Sequence, residues 1–213
     1  MNRSHKEAHM LEIYHAPRTR SIRVIWLCEE LGLDHRVVPV EFSPAFLSTA
    51  EWRRLNPVGK VPVLKDGDLV MFESGAMVQY LLDRYGDGRL QPPRGSHDHA
   101  RFLQWCWFAE ATFARPLGEI VNHRRVFSTD DQNPAAIEEM QQRAALCVQA
   151  LDDALAVRPY LLGDEFSAAD IMTGYTLMLA EWLLPPGFPD HVADYWRRLS
   201  ARPAYRAAMG AGA

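Results

Sequence analysis

Cysteine is scarce in this chain, and its pattern excludes several kinds of chemistry. The 213 residues include only three cysteines, Cys28, Cys106 and Cys147, which stand far apart. They form no C-x-x-C pair and none of the spacings typical of a zinc site, so we expect neither a dithiol centre nor a metal. An odd number of widely spaced thiols favours a reducing compartment, and the sequence therefore predicts a cytoplasmic protein.

Long apolar runs and clusters of basic charge are also missing. No stretch approaches the roughly 20 apolar residues that a membrane span requires. Residues 1–9 are polar and lack the apolar centre of a signal peptide. Because the formal net charge is −4 and adjacent arginines occur at most in pairs, we expect no nucleic-acid or membrane partner.

Strand and helix patterns alternate in the chain up to Gly86. Leu11–Tyr14 alternates apolar and polar residues as a strand does, and an apolar helix face from Val24 to Leu31 follows and ends at Gly32. An Asp-Gly turn between two apolar runs predicts a hairpin. The other predicted elements are a strand over 36–42, a short helix over 46–55, hairpin strands over 61–64 and 69–72, and a helix over 78–85. The order β-α-β-α-β-β-α is that of a thioredoxin-like α/β layer.

The rest of the chain is predicted to be helical. Residues 87–96 are rich in Gly and Pro and form a linker, after which every apolar pattern has helical spacing. Ser167 and Asp170 have the spacing of a capping box before an apolar helix, which is a stabilising role. The predicted organisation is a disordered tail over 1–10, an α/β domain over 11–86, the linker over 87–96, and an all-helical domain over 97–213.

The most informative run is Asn56–Leu64, in which a proline stands between two valines at the start of an apolar segment. Proline removes a ladder hydrogen bond and belongs at a sheet edge or in a turn. A cis Val61-Pro62 bond would turn the N–H and C=O of Val61 outward, where an extended peptide can pair with them. Glu73-Ser74 then opens a helix, and free N–H groups at a helix N-terminus bind carboxylates. Together these motifs predict a receptor for a small anionic peptide.

With these motifs the chain resembles a cytosolic glutathione S-transferase of the bacterial type. Val61-Pro62 with Glu73-Ser74 is similar to the family's glutathione-binding pair, Tyr14–Val24 to its first strand and active-site turn, and Ser167–Asp170 to its capping motif. The resemblance covers nearly the whole chain. It implies a thioredoxin-like glutathione-binding domain, an all-helical second domain, a homodimer and a role in detoxification.

The resemblance also implies that a hydroxyl stabilises the glutathione thiolate, which is the nucleophile. Lowering the thiol pKa by about 2 units requires about 2.7 kcal/mol, and one hydrogen bond to a charged acceptor contributes about 1.5–3 kcal/mol. Three hydroxyls compete for this role. Thr19 has the spacing from Arg23 seen in serine-type members, Ser21 begins the helix, and Tyr14 ends the first strand as in tyrosine-type members.

For the rest of glutathione, the resemblance implies that Glu73 and Ser74 bind the γ-glutamyl end and that Val61 and Pro62 present the peptide edge. Lys60 is a candidate partner for the glycyl carboxylate, although a solvated surface lysine is an equally simple interpretation. Glutathione is then a co-substrate, and the resemblance implies no metal or dissociable redox cofactor.

The second substrate implied is a small hydrophobic electrophile. Aromatic residues are plentiful in the helical part, and most such residues belong to a core or a dimer interface. Trp107, Phe108 and Phe113 are the candidates for the electrophile pocket. The implied reaction is conjugation; the alternatives are a glutathione-dependent disulfide reductase or peroxidase, and a non-catalytic protein that binds glutathione or hydrophobic ligands.

Overall fold

The computed structural model describes residues 10–211, and the predicted tail lies outside this range except for Met10. The chain forms two compact units. Among the described residues, one unit contains residues 10–85 and 206–211, and the other is Gly86–Tyr205. The sequence placed the final segment in the helical domain, whereas its packing assigns it to the first unit.

A mixed four-stranded sheet organises the first unit. Its strands are β1 (Leu11–His15), β2 (His35–Pro39), β3 (Val63–Asp66) and β4 (Leu69–Met71). They lie in the order β2-β1-β3-β4, with β1 parallel to β2 and antiparallel to β3. Strands β3 and β4 form the predicted hairpin, in which Asp66 pairs with Leu69. This sheet, with its helices, confirms the predicted thioredoxin-like layer.

Four helices accompany this sheet: α1 (Ser21–Leu31), α2 (Pro44–Leu47), α3 (Ala50–Leu55) and α4 (Ser74–Tyr85). The single helix predicted over 46–55 is instead two short helices. The Thr49 hydroxyl accepts a hydrogen bond from the Trp52 N–H and so begins α3 as a new helix. Helix α1 ends where predicted, at Gly32 in the left-handed conformation with φ 65°.

The first strand and first helix contribute much of the core of this unit. In β1 the side chains of Leu11, Ile13 and His15 are buried, while Glu12 and Tyr14 are half-buried. Because successive side chains of a strand point to opposite faces, His15 shares the buried face with the two apolar residues. Cys28 of α1 is fully buried, as predicted, and burial raises the pKa of its thiol to about 12.

The second unit is helical. Its elements are α5 (His97–Trp107), a π-helical segment (Phe108–Phe113), α6 (Ala114–Val126), a 3₁₀ turn (Thr129–Asp131), α7 (Pro134–Leu155), α8 (Ala168–Leu183), α9 (Asp190–Ser200) and the start of α10 (Pro203–Gly210). Between residues 10 and 211, no helix combines the length and apolar character needed to cross a membrane.

The π-helical segment interrupts one long helical run just before Pro116. Proline has no N–H to donate to the preceding turn, so the regular ladder is broken at this point. The Thr176 hydroxyl of α8 lies 3.3 Å from the Ala109 carbonyl within the segment and 3.2 Å from the Met172 carbonyl of its own helix, so the two carbonyls share one donor. A side chain of the neighbouring helix thus takes part in the irregular turn.

The predicted capping box is present at the start of α8. Asp170 is fully buried and accepts hydrogen bonds from the Ser167 N–H at 2.8 Å and the Ser167 hydroxyl at 2.9 Å. It also accepts from the Leu161 N–H at 3.0 Å and the Tyr195 hydroxyl at 2.8 Å. The carboxylate therefore joins α8 to the preceding loop and to α9. Burial raises its pKa, and these hydrogen bonds act in the opposite direction.

Candidate active site

Three polar side chains meet at the turn between β1 and α1. Thr19 Oγ1 lies 2.7 Å from Ser21 Oγ, and Ser21 Oγ lies 2.7 Å from His15 Nδ1. The Thr19 hydroxyl also reaches the Ala16 carbonyl oxygen at 2.7 Å. Ser21 and His15 are buried, whereas Thr19 is only half-buried. Thr19 is therefore the member of this cluster that a ligand in solvent can reach.

Sequence reasoning missed His15. The predicted first strand ends at Tyr14 and leaves His15 outside, whereas β1 includes His15 and its alternation places this residue on the buried face after Leu11 and Ile13. A polar residue on an otherwise apolar strand face was the signal that could have identified His15. Burial lowers the pKa of His15, and the Ala211 backbone opposes this to a smaller extent. The imidazole is therefore held in its neutral form, since its ordinary pKa is about 6.5.

Tyr14 lies apart from this cluster. Its ring packs against Trp52 with centroids 5.8 Å apart, and the Lys65 ammonium lies 5.3 Å from the ring centroid. Its hydroxyl is 3.5 Å from a carboxylate oxygen of Glu12. Tyr14 also lines a cavity of about 310 Å³ together with Phe46. The structure brings together two of the three competing hydroxyls, Thr19 and Ser21, and leaves Tyr14 on the other face of the sheet.

The loop before β3 is shaped by Asn56, which is buried. Its amide donates to the Lys60 carbonyl at 2.8 Å and accepts from the Val58 N–H at 3.2 Å. This fixes the approach to Val61-Pro62, whose peptide bond is cis, the form on which the predicted peptide receptor depends. Pro62 is buried and Val61 is half-buried, so backbone rather than bulky side chain is offered at this point. The Lys60 side chain is exposed.

The start of α4 combines a hydroxyl with a buried cation. Ser74 is 2% exposed, and its hydroxyl accepts a hydrogen bond of 3.2 Å from Arg23 Nη1 of α1. Arg23 is itself fully buried. Glu73 precedes the helix with φ 75°, a left-handed conformation that is uncommon for a residue other than glycine. Because the N-terminus of a helix carries partial positive charge, this corner suits a carboxylate.

These parts lie at the same end of the sheet. Tyr14 pairs with Val63, so the end of β1 and the beginning of antiparallel β3 are neighbours. The turn with Thr19 follows β1, and Val61-Pro62 precedes β3. The hydrogen bond between Arg23 and Ser74 brings the N-terminus of α4 to the same place. A hydroxyl, a backbone edge and a corner that suits a carboxylate therefore share one region.

The candidate pocket residues of the helical unit differ in exposure. Trp107, the last residue of α5, is 65% exposed, and Phe108 is half-buried with its ring 5.2 Å from that of Trp105. Phe113 is fully buried and belongs to the core of this unit. It has no surface to offer a ligand, so Trp107 and Phe108 are the two candidates that keep accessible area.

The turn contains no thiol. Cys28 and Cys147 are buried and Cys106 is half-buried. Burial also raises the pKa of Cys147. Among the residues that the structure describes, no group of three or more His, Cys, Asp or Glu side chains is arranged to hold a metal ion. The cluster of Thr19, Ser21 and His15 therefore offers two hydroxyls and one neutral imidazole, and no thiol.

Comparison with known proteins identifies a family for both parts of the chain. The N-terminal domain of glutathione S-transferases matches residues 10–83, and the C-terminal domain of that family matches residues 134–211. Glutathione S-transferase 4 of Zea mays is 30% identical over 85% of this chain and 83% of its own length. The disulfide-bond oxidoreductase YfcG of Escherichia coli is 27% identical over 92% of both chains.

A solved structure gives the same result. The theta class glutathione S-transferase of Xanthomonas axonopodis pv. citri, crystallised with glutathione bound, superposes with a TM-score of 0.81 and 28% identity, covering 95% of this chain and 98% of that one. The chain belongs to the glutathione S-transferase family, and its fold is that of a glutathione transferase.

Proposed function

We propose that this protein conjugates the thiolate of glutathione to small hydrophobic electrophiles. The observation that carries the proposal is the meeting, at one end of the sheet, of the accessible Thr19 hydroxyl, the backbone edge at Val61-Pro62 and the corner formed by Arg23 and Ser74. These three features match the thiol, the peptide backbone and the γ-glutamyl carboxylate of one tripeptide.

The binding of glutathione follows from these contacts. The Arg23 guanidinium donates to Ser74 Oγ, so the hydroxyl hydrogen of Ser74 remains available to donate to a ligand carboxylate. The exposed carboxylate of Glu73 is the proposed partner of the ligand's α-ammonium group. Val61 pairs with the cysteinyl residue of glutathione through its N–H and C=O. Lys60 is the proposed partner of the glycyl carboxylate.

The chemical step needs a stabilised thiolate. The thiol loses its proton to solvent, and the Thr19 hydroxyl donates a hydrogen bond to the sulfur anion. The sulfur then attacks the electrophilic carbon and forms a C–S bond. A leaving group departs with its electron pair, or, in an addition, the product carbanion takes a proton from water. Trp107 and Phe108 are the proposed contacts for the electrophile.

Three broader properties also belong to the proposal. We propose a homodimer, a cytoplasmic location and a role in detoxification, on the basis of the family to which the chain belongs. Exposed apolar side chains at and next to the edge strand β4, Leu69, Val70 and Phe72, are available for a subunit contact.

An ultraviolet difference titration with glutathione tests the proposal. We expect a saturable thiolate band at neutral pH in the wild-type protein. Thr19→Ala should not show the band, and its kcat with an electrophilic substrate should be lower by about tenfold or more. The reason is that the thiolate loses one charge-assisted hydrogen bond. Thr19→Ser, which keeps the donor, is the matched control. Full activity of Thr19→Ala with every electrophile and disulfide would overturn the role of Thr19.

Disulfide reduction is the second candidate function, and its support is the similarity to the Escherichia coli oxidoreductase. It requires the same bound thiolate, but the sulfur then attacks a disulfide rather than carbon, and a second glutathione completes the reduction. Turnover of a glutathione mixed disulfide in the absence of measurable conjugation would favour this function over the first.

A further inference from the structure

We propose that His15 and Ser21 are positioning residues that fix the direction of the Thr19 hydroxyl hydrogen. The proposal rests on the function given above, because the hydrogen is to be directed at the glutathione sulfur. Its basis is the continuous series of contacts from His15 Nδ1 to Ser21 Oγ and on to Thr19 Oγ1, each 2.7 Å long.

Counting hydrogens gives the direction of this series. Thr19 Oγ1 lies 2.7 Å from the Ala16 carbonyl, which can only accept, so Thr19 must donate its one hydrogen there. The contact between the two hydroxyls then requires Ser21 to donate to Thr19. Ser21 has no second hydrogen, and therefore His15 Nδ1 must donate to Ser21. The geometry selects the tautomer of His15 that carries its hydrogen on Nδ1.

Reversing the direction creates a conflict. If Nδ1 accepted from Ser21, the Ser21 hydroxyl would need the Thr19 hydrogen, and the oxygens of Thr19 and Ala16 would face each other at 2.7 Å without a hydrogen between them. Two acceptors at that distance repel. The selected tautomer leaves Nε2 with a lone pair. Among residues 10–211 no group meets Nε2 with hydrogen-bond geometry, and the Ala211 backbone has only a smaller influence on the His15 pKa than burial has.

The same series explains how Thr19 would serve a thiolate. When the sulfur anion arrives, the Thr19 hydroxyl moves away from the Ala16 carbonyl and turns its hydrogen to the sulfur, so that the two oxygens no longer face each other at 2.7 Å. Ser21 continues to donate to Thr19 Oγ1, which directs the Thr19 hydrogen toward the ligand and strengthens it as a donor. Ser21 and His15 are 0% and 2% exposed, so water does not compete for their hydrogen bonds.

Three substitutions separate this role from simple packing. In His15→Leu the buried volume is largely kept but the donor is lost, whereas the amide of His15→Asn can donate from about the position of Nδ1. Ser21→Ala removes one oxygen from the middle of the series. For each purified variant we would measure the apparent pKa of bound glutathione from the thiolate band, the Kd for glutathione by calorimetry, and kcat.

The expected pattern is specific. His15→Leu and Ser21→Ala should raise the apparent thiol pKa and lower kcat at neutral pH by about tenfold. This is the effect expected when one hydrogen bond to a charged acceptor is misdirected. Their Kd for glutathione should change by less than about threefold, since the carboxylate and backbone contacts remain. His15→Asn should behave within about threefold of wild type, because the donor is restored.

The failures are distinguishable. If wild type shows the thiolate band and His15→Leu and Ser21→Ala keep it unchanged, the positioning role is wrong and the proposed function stands. If kcat falls as far in His15→Asn as in His15→Leu, the positioning role is also wrong, because restoring the donor would then have no effect. If wild type binds glutathione without a band, the proposed activation by Thr19 fails, and the positioning role fails with it.

Nuclear magnetic resonance gives an independent test that needs no variant. The ring nitrogens of His15 in the wild-type protein should show the chemical shifts of a neutral imidazole protonated at Nδ1. Protonation at Nε2 would reverse the series and overturn the proposal. This measurement also decides the matter if His15→Leu does not fold.

Discussion

Arg23 Nη1 lies 3.2 Å from the hydroxyl of Ser74, a residue 51 positions later in the chain, and both side chains are buried. Arg23 follows Ser21 by half a turn of α1, and Ser74 begins α4. This one hydrogen bond therefore connects the turn that holds the candidate thiolate donor with the corner that suits a carboxylate. The two halves of the candidate glutathione site are thus parts of one hydrogen-bonded unit.

Arg23→Lys should weaken glutathione binding by about tenfold, because a lysine keeps the charge but not the position of the donated hydrogen bond. Calorimetric titration with glutathione measures the effect. Arg101→Lys, an exchange at an exposed residue of α5, is the control and should leave Kd unchanged. An Arg23→Lys variant with wild-type affinity would show that the ligand carboxylate does not depend on this hydrogen bond.

Asp170→Ala should lower the free energy of unfolding by about 3 kcal/mol or more, since each buried donor left without a partner costs about 1–3 kcal/mol. The affected donors are the Leu161 N–H, the Ser167 N–H and the Tyr195 hydroxyl. Urea denaturation measures the loss. Asp98→Ala, at an exposed position in the first turn of α5, should cost less than about 1 kcal/mol. Equal losses in the two variants would contradict the role of the capping box.

His15 should make stability depend on pH. Because burial lowers its pKa in the folded protein, the unfolded chain binds more protons than the folded protein between that value and about 6.5. The free energy of unfolding should therefore fall as the pH decreases from about 6.5 toward the folded pKa. Denaturation at several pH values should show a smaller dependence in His15→Asn than in wild type. If the free energy of unfolding depends on pH equally in wild type and His15→Asn, then His15 does not titrate differently in the folded and unfolded states.

Gly59→Ala should destabilise the loop before Val61-Pro62. Gly59 has φ 64°, and a Cβ there would lie 2.5 Å from the backbone oxygen of Leu47. Gly32 is a matched control, with φ 65° but nothing within 4 Å of the added atom. Both alanine variants carry the cost of a left-handed residue, about 1–3 kcal/mol, and only Gly59→Ala adds the clash. In thermal denaturation, the Tm of Gly59→Ala should be clearly lower than that of Gly32→Ala.

The sequence predicted the main elements because their patterns are local. Alternation located β1, helical spacing located α1, and an Asp-Gly turn located the hairpin. The split between α2 and α3 was not predicted, because the apolar pattern does not show that Thr49 caps a new helix. The sequence also did not predict that residues 206–211 belong to the first unit, because their packing depends on tertiary contacts.

The candidate site was predicted in its parts but not in its connections. Thr19, Ser21 and Tyr14 all carry hydroxyls near one turn, and position along the chain does not show which of them are in contact. The alternation of β1 was sufficient to place Tyr14 and His15 on opposite faces. What it did not show is that the buried histidine ends beside Ser21, because that contact depends on how the turn closes.

The first unit is completed by a segment that follows the helical unit, since residues 206–211 belong with residues up to Tyr85. During synthesis on the ribosome, the sheet and its helices emerge long before this later segment does. The helical unit is made in between, in the manner of a long insertion. A fragment that stops near residue 86 would therefore lack part of its own unit, and the residues that complete this unit are translated only after the helical unit.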